Sequence, residues 1–401
     1  MALSEKGRFT LDMIQKYFTV GTFSAKSLSD VCGEKISAAS LTSLAKRGYL
    51  NKFQTSPVTY SFDKEFAENC VEEVAPQAKV LNTNLREARR KKNDEFYTRR
   101  EDIEAELNHY RKYFAGKTVF LNCDDPRESE FWLYFERQFG FLGLKKLIST
   151  HYEENGSSYK LEYTGSVSEN GDIDEATIIK TPLKENGDFR SDECIAILKD
   201  ADIVVTNPPF SLFREFIATL IKYDKKFLVV GNKNATTYKE TFKLFQNNQL
   251  WWGMTNPKKF YVPKDYSAKN VEQDKSTGKP IAKFGNICWF TNLPTKKRNE
   301  EISTGARYYD ENHKPEDYPK YDNYDAIEVS KVANIPMDYE GVMGVPITFL
   351  DKYNPMQFEI LGDSRYHDGS DLADDINFVD GKQKYTRVLI RNKHPRKPRN
   401  K

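Results

Sequence analysis

The stretch Ala201-Asp-Ile-Val-Val-Thr-Asn-Pro-Pro-Phe210 constrains the chain more than any other. Ile203-Val204-Val205-Thr206 is a β-branched run, the pattern of a strand buried on both faces. It stops at Asn207-Pro208-Pro209-Phe210, because consecutive prolines bring no N–H to a ladder. Asn207 is thereby left at the carboxyl end of a strand, the edge at which open α/β sheets bind ligands. Phe213, Phe216, Ile217, Leu220 and Ile221 then recur at helical spacing. The local prediction is strand, rigid polar-aromatic turn, helix.

Such a turn suits an exocyclic amine on a base. That nitrogen is a poor nucleophile, since its lone pair is delocalised into the ring. Two acceptors aimed at its hydrogens localise the pair: the Asn207 side-chain oxygen and the Pro208 carbonyl, whose direction the fixed φ of proline holds. Pro209 keeps the turn rigid, and Phe210 offers a flat face to a base swung out of a duplex. The plainer alternative is a strand followed by an ordinary proline turn, for Asn-Pro is a common turn dipeptide. The complete string looks like the catalytic motif of amino-methyltransferases that use S-adenosylmethionine. Its terminal phenylalanine favours nucleic-acid amines, and glutamine-modifying enzymes carry the related tyrosine form.

A chain of 401 residues accommodates two or three domains. Its net charge of +2 does not announce a nucleic-acid protein, so the distribution matters more, with basic clusters at 86–100 and 391–401. Cys32, Cys70, Cys123, Cys194 and Cys288 are scattered without zinc-like spacing, which predicts a reduced, cytoplasmic protein and no metal. No run resembles a signal peptide or is long enough to span a bilayer, so no membrane is expected.

Residues 1–75 carry a pattern of their own. Leu11, Ile14, Tyr17 and Phe18 suggest a first helix, 24–31 a second and 36–46 a third, and 49–53 and 58–62 suggest a hairpin. Three helices and a hairpin make a small winged helix. With Leu41 and Leu44 facing its core, Ser40, Ser43, Lys46 and Arg47 point outward, where they can meet phosphates and base edges. A winged helix that contacts protein, or merely caps the chain, is the alternative. Residues 76–93 read as a charged linker. From 94 to 295 the predicted elements alternate: a helix over 100–114, strands at 118–121 and 143–148, and a hairpin between 151 and 181. Further elements are a helix near 193–198, strands at 203–206 and 226–230, and a late strand at 286–292. That alternation implies a parallel sheet with helices on both faces. Lys296, Lys297 and Arg298, candidates for nucleic-acid contact, open a tyrosine-rich region at 296–390 that is expected to recognise the target. Its aromatics are suited either to stacking against a distorted duplex or to packing one another. The basic tail at 391–401 is expected to be disordered.

Several strings together carry a family resemblance: Asn93-Asp-Glu-Phe-Tyr-Thr98, Asn122-Cys-Asp-Asp-Pro126, Gly187-Asp-Phe-Arg-Ser191, the stretch Asp202 to Phe213, and Gly341-Val-Met-Gly-Val-Pro-Ile-Thr-Phe-Leu350. Over residues 93–395 the chain resembles the EcoRI-type adenine-specific DNA modification methylases; the amino-terminal segment is outside the match. The resemblance implies a Rossmann-like S-adenosylmethionine-dependent methyltransferase sheet. It implies that Tyr97 and Thr98 meet the methionine end of that cofactor. Asn122, Cys123, Asp124 and Asp125 would form the cofactor loop after the first strand, in a version without the usual glycines. Asp188 and Phe189 would hold the cofactor adenine, and Glu153 and Glu154 are candidates for its ribose. The implied activity is direct methyl transfer to N6 of a flipped adenine in duplex DNA, without metal or covalent intermediate. It would serve restriction-modification, with a cognate restriction endonuclease as a candidate partner, or solitary or phage DNA modification. Nothing demands an oligomer. The rivals are an RNA adenine methyltransferase, and a winged-helix regulator whose methyltransferase fold only binds.

Overall fold

The computed structural model describes residues 10, 14, 22–32, 36–46, 50–53, 58–62, 96–123, 126, 129–153, 157–165, 177–263, 271–275, 277–309, 318–365 and 378–396. The chain divides into two compact units, 1–89 and 90–401.

In the first unit, β1 (Thr22–Phe23), α1 (Ala25–Cys32), α2 (Ala38–Lys46), β2 (Leu50–Phe53) and β3 (Thr59–Phe62) follow in order, and the strands form an antiparallel sheet β1-β3-β2. Ser24 and Ser27 bond reciprocally at the start of α1, a capping arrangement that satisfies amides the first turn leaves over. Ile14, Phe23, Leu28, Leu41, Leu44, Leu50 and Tyr60 form the core, so Leu41 and Leu44 face inward as predicted. Most of the predicted first helix and the whole 76–93 linker lie outside the described residues.

The second unit begins with β4 (Tyr97–Thr98), α3 (Arg100–Leu107), β5 (Thr118–Leu121), α4 (Glu130–Arg137), α5 (Phe139–Leu142), β6 (Lys146–His151), β7 (Tyr159–Tyr163) and β8 (Ile179–Pro182). It continues with α6 (Asp192–Asp200), β9 (Ile203–Thr206), α7 (Phe213–Lys222), β10 (Lys226–Asn232), α8 (Lys239–Gln246) and β11 (Trp251–Trp252). Then come β12 (Lys259–Tyr261), β13 (Val271–Gln273), β14 (Pro280–Lys283), β15 (Ile287–Thr291), β16 (Ala326–Glu328), β17 (Val342–Pro346), β18 (Phe358–Asp363), β19 (Phe378–Val379), β20 (Lys382–Gln383) and β21 (Arg387–Asn392).

The large sheet has eight strands in the order β11-β15-β10-β9-β5-β6-β7-β8. Its centre, β6-β5-β9-β10, is parallel as predicted, whereas the pairs at either side are antiparallel. From β5 the chain steps to β6 on one side and later returns to β9 on the other. The carboxyl ends of β5 and β9 therefore part at a switch point, where open α/β sheets form a ligand crevice. Alternation explains the unbroken apolar runs. Phe120, Val204, Phe227 and Val229 pack on one face, Val119, Leu121, Ile203, Val205, Leu228 and Val230 on the other.

The first of these core faces runs on without a break into Ile327, Met343, Phe349 and Ile390 of a four-stranded sheet β16-β17-β21-β18. Packing is thus continuous across residue 296. Three local expectations differ. The helix predicted over 100–114 stops at Leu107. The strand predicted from 143 starts at Lys146, because Gly143 (φ +64°) closes the short helix Phe139–Leu142. The basic tail is folded at its start: Arg391 and Asn392 end β21, and the Arg396 N–H donates to the Met337 carbonyl at 2.8 Å. No helix among the described residues is long and apolar enough to cross a membrane.

Candidate active site

The central turn follows from β9 and α7. Both faces of Ile203–Thr206 are buried, Pro208 is buried behind them, and Phe213, Phe216, Ile217 and Leu220 hold α7 against the sheet. Asn207, Pro209 and Phe210 are half-buried at the mouth of the switch point. The Asn207 Nδ2 donates to the backbone carbonyl of Phe96. That bond sets the orientation of the amide, making Oδ1 its acceptor end. The Phe96 ring lies 5.7 Å from the Phe210 ring and 4.3 Å from that of Phe284, so three segments contribute to one aromatic wall. Sequence reasoning missed Phe96 and Phe284. Phe96 adjoins the Tyr97-Thr98 motif, but no local pattern marks Phe284, which lies 74 residues beyond Phe210.

β4 brings Tyr97 and Thr98 to this wall by pairing with β12. Tyr97 is half-buried, and Thr98 is buried with no hydrogen-bond partner for its Oγ1 among the described residues. Asn122, buried, and Cys123, half-buried, stand at the end of β5, with the Cys123 thiol directed to Asn122 Oδ1 at 3.9 Å. Asp124, Asp125 and Glu154 lie outside the described residues.

The loop after β6 and the loop before α6 are stitched together. The Glu153 N–H donates to the Asn186 carbonyl at 3.0 Å. Gly187 takes φ +77°, and a Cβ there would run into the His151 carbonyl, so this close approach requires glycine. Asn186 Oδ1 accepts from the Asp188 N–H at 3.0 Å. Both Asp188 oxygens accept from the Arg190 guanidinium, at 2.9 and 2.7 Å. That carboxylate, joined by Glu215 at 3.0 Å, holds Arg190 above the ordinary guanidinium value. Phe189 is buried, its ring against Phe216 at 5.1 Å.

The basic triplet divides. Lys296 is exposed. Lys297 reaches Asp351 at 2.8 Å and the Met254 carbonyl at 3.1 Å, which commits its ammonium within the fold. Arg298 lies over the Trp251 ring at 4.2 Å and donates to Asn248 at 2.7 Å, and burial pulls its guanidinium down to about 10. Much of the tyrosine-rich stretch packs internally: Tyr318 and Tyr321 are buried and Tyr308 lies 4.4 Å from the Tyr339 ring, while Tyr309 is exposed. In the first unit, Ser40 Oγ lies 2.9 Å from Ser37 Oγ; the side chains of Ser43 and Lys46, and all of Arg47, lie outside the described residues.

An open α/β sheet with an Asn-Pro-Pro-Phe turn at its switch point is the arrangement of an amino-methyltransferase. The comparisons agree: the family of adenine-specific methyltransferase EcoRI matches residues 84–393. The chain is 44% identical over 332 residues to the type II methyltransferase M.EcoRI of Escherichia coli, covering 79% of this chain and 99% of that protein. It is 42% identical over 327 residues to the type II methyltransferase M.MpnI of Mycoplasma pneumoniae, covering 76% and 97%. No solved structure matches. The chain belongs to the EcoRI adenine-specific methyltransferase family.

Proposed function

We infer that the chain is a type II DNA adenine methyltransferase, with Asn207, Pro208, Pro209 and Phe210 as its catalytic turn. The observation that carries this reading is the Asn207 amide, locked by the Phe96 carbonyl at the switch point with its acceptor end defined. The type II relatives support it.

The residues present fit S-adenosylmethionine. The buried Thr98 Oγ1 has no hydrogen-bond partner among the described residues and suits a polar group of the methionine moiety. Asn122 and Cys123 close the β5 end, and the Glu153–Asn186 stitch shapes the side next to it. Tyr97, Thr98, Asn122, Cys123, Asp124, Asp125, Asp188 and Phe189 would hold the cofactor, with Glu153 toward the ribose. When bound, it supplies an electrophilic methyl group.

The chain's own residues then do three things. Asn207 Oδ1 and the Pro208 carbonyl accept the two amine hydrogens, which draws the nitrogen toward the tetrahedral form. Those acceptors gain strength as positive charge develops there, so they favour the transition state over the bound base. Phe210, with Phe96 and Phe284 behind it, gives a flipped adenine an aromatic face, offsetting part of an unstacking cost of a few kcal/mol. The surplus amine proton leaves to solvent.

Residues 296–390 serve target recognition, with Lys296 as the exposed cation of its triplet. The amino-terminal unit is a winged helix that adds phosphate contacts through Ser40, Ser43, Lys46 and Arg47. A cognate restriction endonuclease is the natural partner of such an activity. Tritium transfer from labelled cofactor to duplex DNA tests the reading; transfer to RNA and not to DNA overturns it. Deleting residues 1–75 leaves an enzyme that methylates the same sequence with a shallower salt dependence. A changed target sequence would show instead that this unit reads bases.

A further inference from the structure

We propose that the hairpin of β19 and β20, with Tyr385 just beyond it, is a duplex-contacting arm: Tyr385 enters the base stack of the DNA beside the target adenine, and Lys382 meets the phosphate backbone. The proposal rests on the DNA reading above.

The arm is rigid. Val379 pairs with Lys382, leaving Asp380 and Gly381 as a two-residue connection. Their φ values of +50° and +69° are the left-handed pair that a tight hairpin requires. The Asp322 carboxylate accepts from both of their N–H groups at 2.8 Å, and the Asp322 N–H donates to the Phe378 carbonyl at 2.9 Å. Val379 is buried beside Tyr321 and Leu389. Asp380-Gly381 is a dipeptide that favours such a hairpin.

Exposure alone decides nothing, because single exposed apolar side chains are ordinary. Tyr385 is 87% exposed and makes no ring contact or side-chain hydrogen bond among the described residues. By contrast, the lobe's own Tyr308, Tyr318, Tyr321 and Tyr339 are spent on one another or on Glu328. Placement decides. Arg387, two residues past Tyr385, exchanges hydrogen bonds with Ser364 at the end of β18, at 2.8 and 3.1 Å. The next residue, Arg365, donates to the Thr237 carbonyl at 2.7 Å. Thr237 closes the turn directly after β10, the strand paired with β9, whose end carries Asn207. Tyr385 therefore leaves the lobe beside a segment anchored to the turn after β10, the strand next to the one that ends at Asn207. Beside that turn, an exposed Arg214 is stacked over the partly exposed Tyr238 ring at 4.6 Å.

Flipping a base opens a gap in the stack, and a planar side chain on a rigid support fills it. The hydroxyl is incidental to that role; the ring is what counts.

The test uses the full chain and a duplex bearing its site, located by methylation-sensitive sequencing of DNA from expressing cells. Wild-type protein that leaves DNA unmethylated would sink the functional reading itself. Given methylation, Tyr385→Ala should weaken duplex binding by roughly five- to a hundredfold, the range for losing one base–aromatic stack. Tyr385→Phe and Tyr385→Trp should restore it, and affinity for a single strand of the same sequence should hold within about twofold, a few tenths of a kcal/mol. Lys382→Ala should lower the slope of log affinity against log salt by roughly one. The arm is overturned if Tyr385→Ala binds duplex like wild type, if Tyr385→Phe loses as much as Tyr385→Ala, if single-strand binding falls equally, or if Lys382→Ala leaves the slope unchanged.

Discussion

The two edges of the large sheet use polar residues in opposite ways. At the amino edge they close on one another. Asp202 accepts from the Thr118 N–H at 2.9 Å and from Lys117 at 3.3 Å, and Lys225 donates to the carbonyls of Lys199 and Ala201 at 2.6 and 2.8 Å. Asn292 takes the Phe227 N–H at 3.0 Å and returns its own amide to the Lys225 carbonyl at 2.8 Å. At the carboxyl edge, Asn207 bonds to the Phe96 carbonyl and Asp188 to Arg190, while the buried Thr98 Oγ1 has no hydrogen-bond partner among the described residues. Strand polarity explains the asymmetry. Parallel strands deliver all their carboxyl ends, and hence all their outgoing loops, to one edge, and the switch point parts those loops. The lesson is a division of labour: substitutions at one edge should cost stability, at the other activity.

The sharpest challenge to that division is Asn207→Ala. It should lower single-turnover methyl transfer by about 10²–10³-fold, the cost of losing one acceptor placed for transition-state charge. Thermal unfolding should hardly move, since the residue is half-buried at a strand end. Transfer within about threefold of wild type, less than one kcal/mol of barrier, would break the comparison at its strongest point. Phe210→Ala should cost less, about 1–3 kcal/mol from lost stacking, and should alter the fluorescence of 2-aminopurine placed at the target position. Equal losses in the two variants would mean that Phe210 does more than stack.

Much of this was legible in advance, for physical reasons. The strands β5, β9 and β10 are buried on both faces, so their sequences are continuous apolar runs, and the proline pair marks where β9 ends. What sequence could not show is non-local. Phe96 meets Phe210, and Phe284 meets Phe96, through the small sheet that pairs β4, β12 and β14. Lys297 reads as a solvent cation until Asp351, 54 residues on, is folded against it. The antiparallel strands β7, β8 and β11 are mixed in pattern or very short, so alternation alone could not order them. Asp188 shows the limit from the other side. Its motif was readable, but its bidentate bond to Arg190, only two residues away, was not.

Thr98→Val sharpens the carboxyl half. The exchange keeps shape and removes Oγ1, which has no hydrogen-bond partner among the described residues. Removing an unsatisfied buried hydroxyl should leave the unfolding temperature unchanged or raise it. Affinity for S-adenosylmethionine, measured by calorimetry, should fall about five- to tenfold, the worth of one hydrogen bond. A destabilised protein with unaltered cofactor affinity would place Thr98 with the structural residues instead.

The smallest expected effect belongs to the amino edge, in Asp202→Asn. Burial by itself would raise the Asp202 carboxyl, but the Thr118 N–H and the Lys117 ammonium outweigh it and hold the group below its ordinary value. A carboxyl depressed in the folded state contributes stability above its unfolded pKa, and that contribution is lost as pH falls through the folded value. Asparagine keeps an acceptor for Thr118 and loses the charge. The side chain is 39% exposed, so solvent screening limits the cost to about 1 kcal/mol or less at pH 7. The difference in unfolding free energy between wild type and variant should be steady above about pH 5 and shrink as pH drops below the ordinary aspartate value of about 4. Methyl transfer at pH 7 should stay within about twofold, a few tenths of a kcal/mol. A large loss of activity with unchanged stability would erase the distinction between the two edges, because it would show that a residue at the far end of β9 governs the chemistry at the near one.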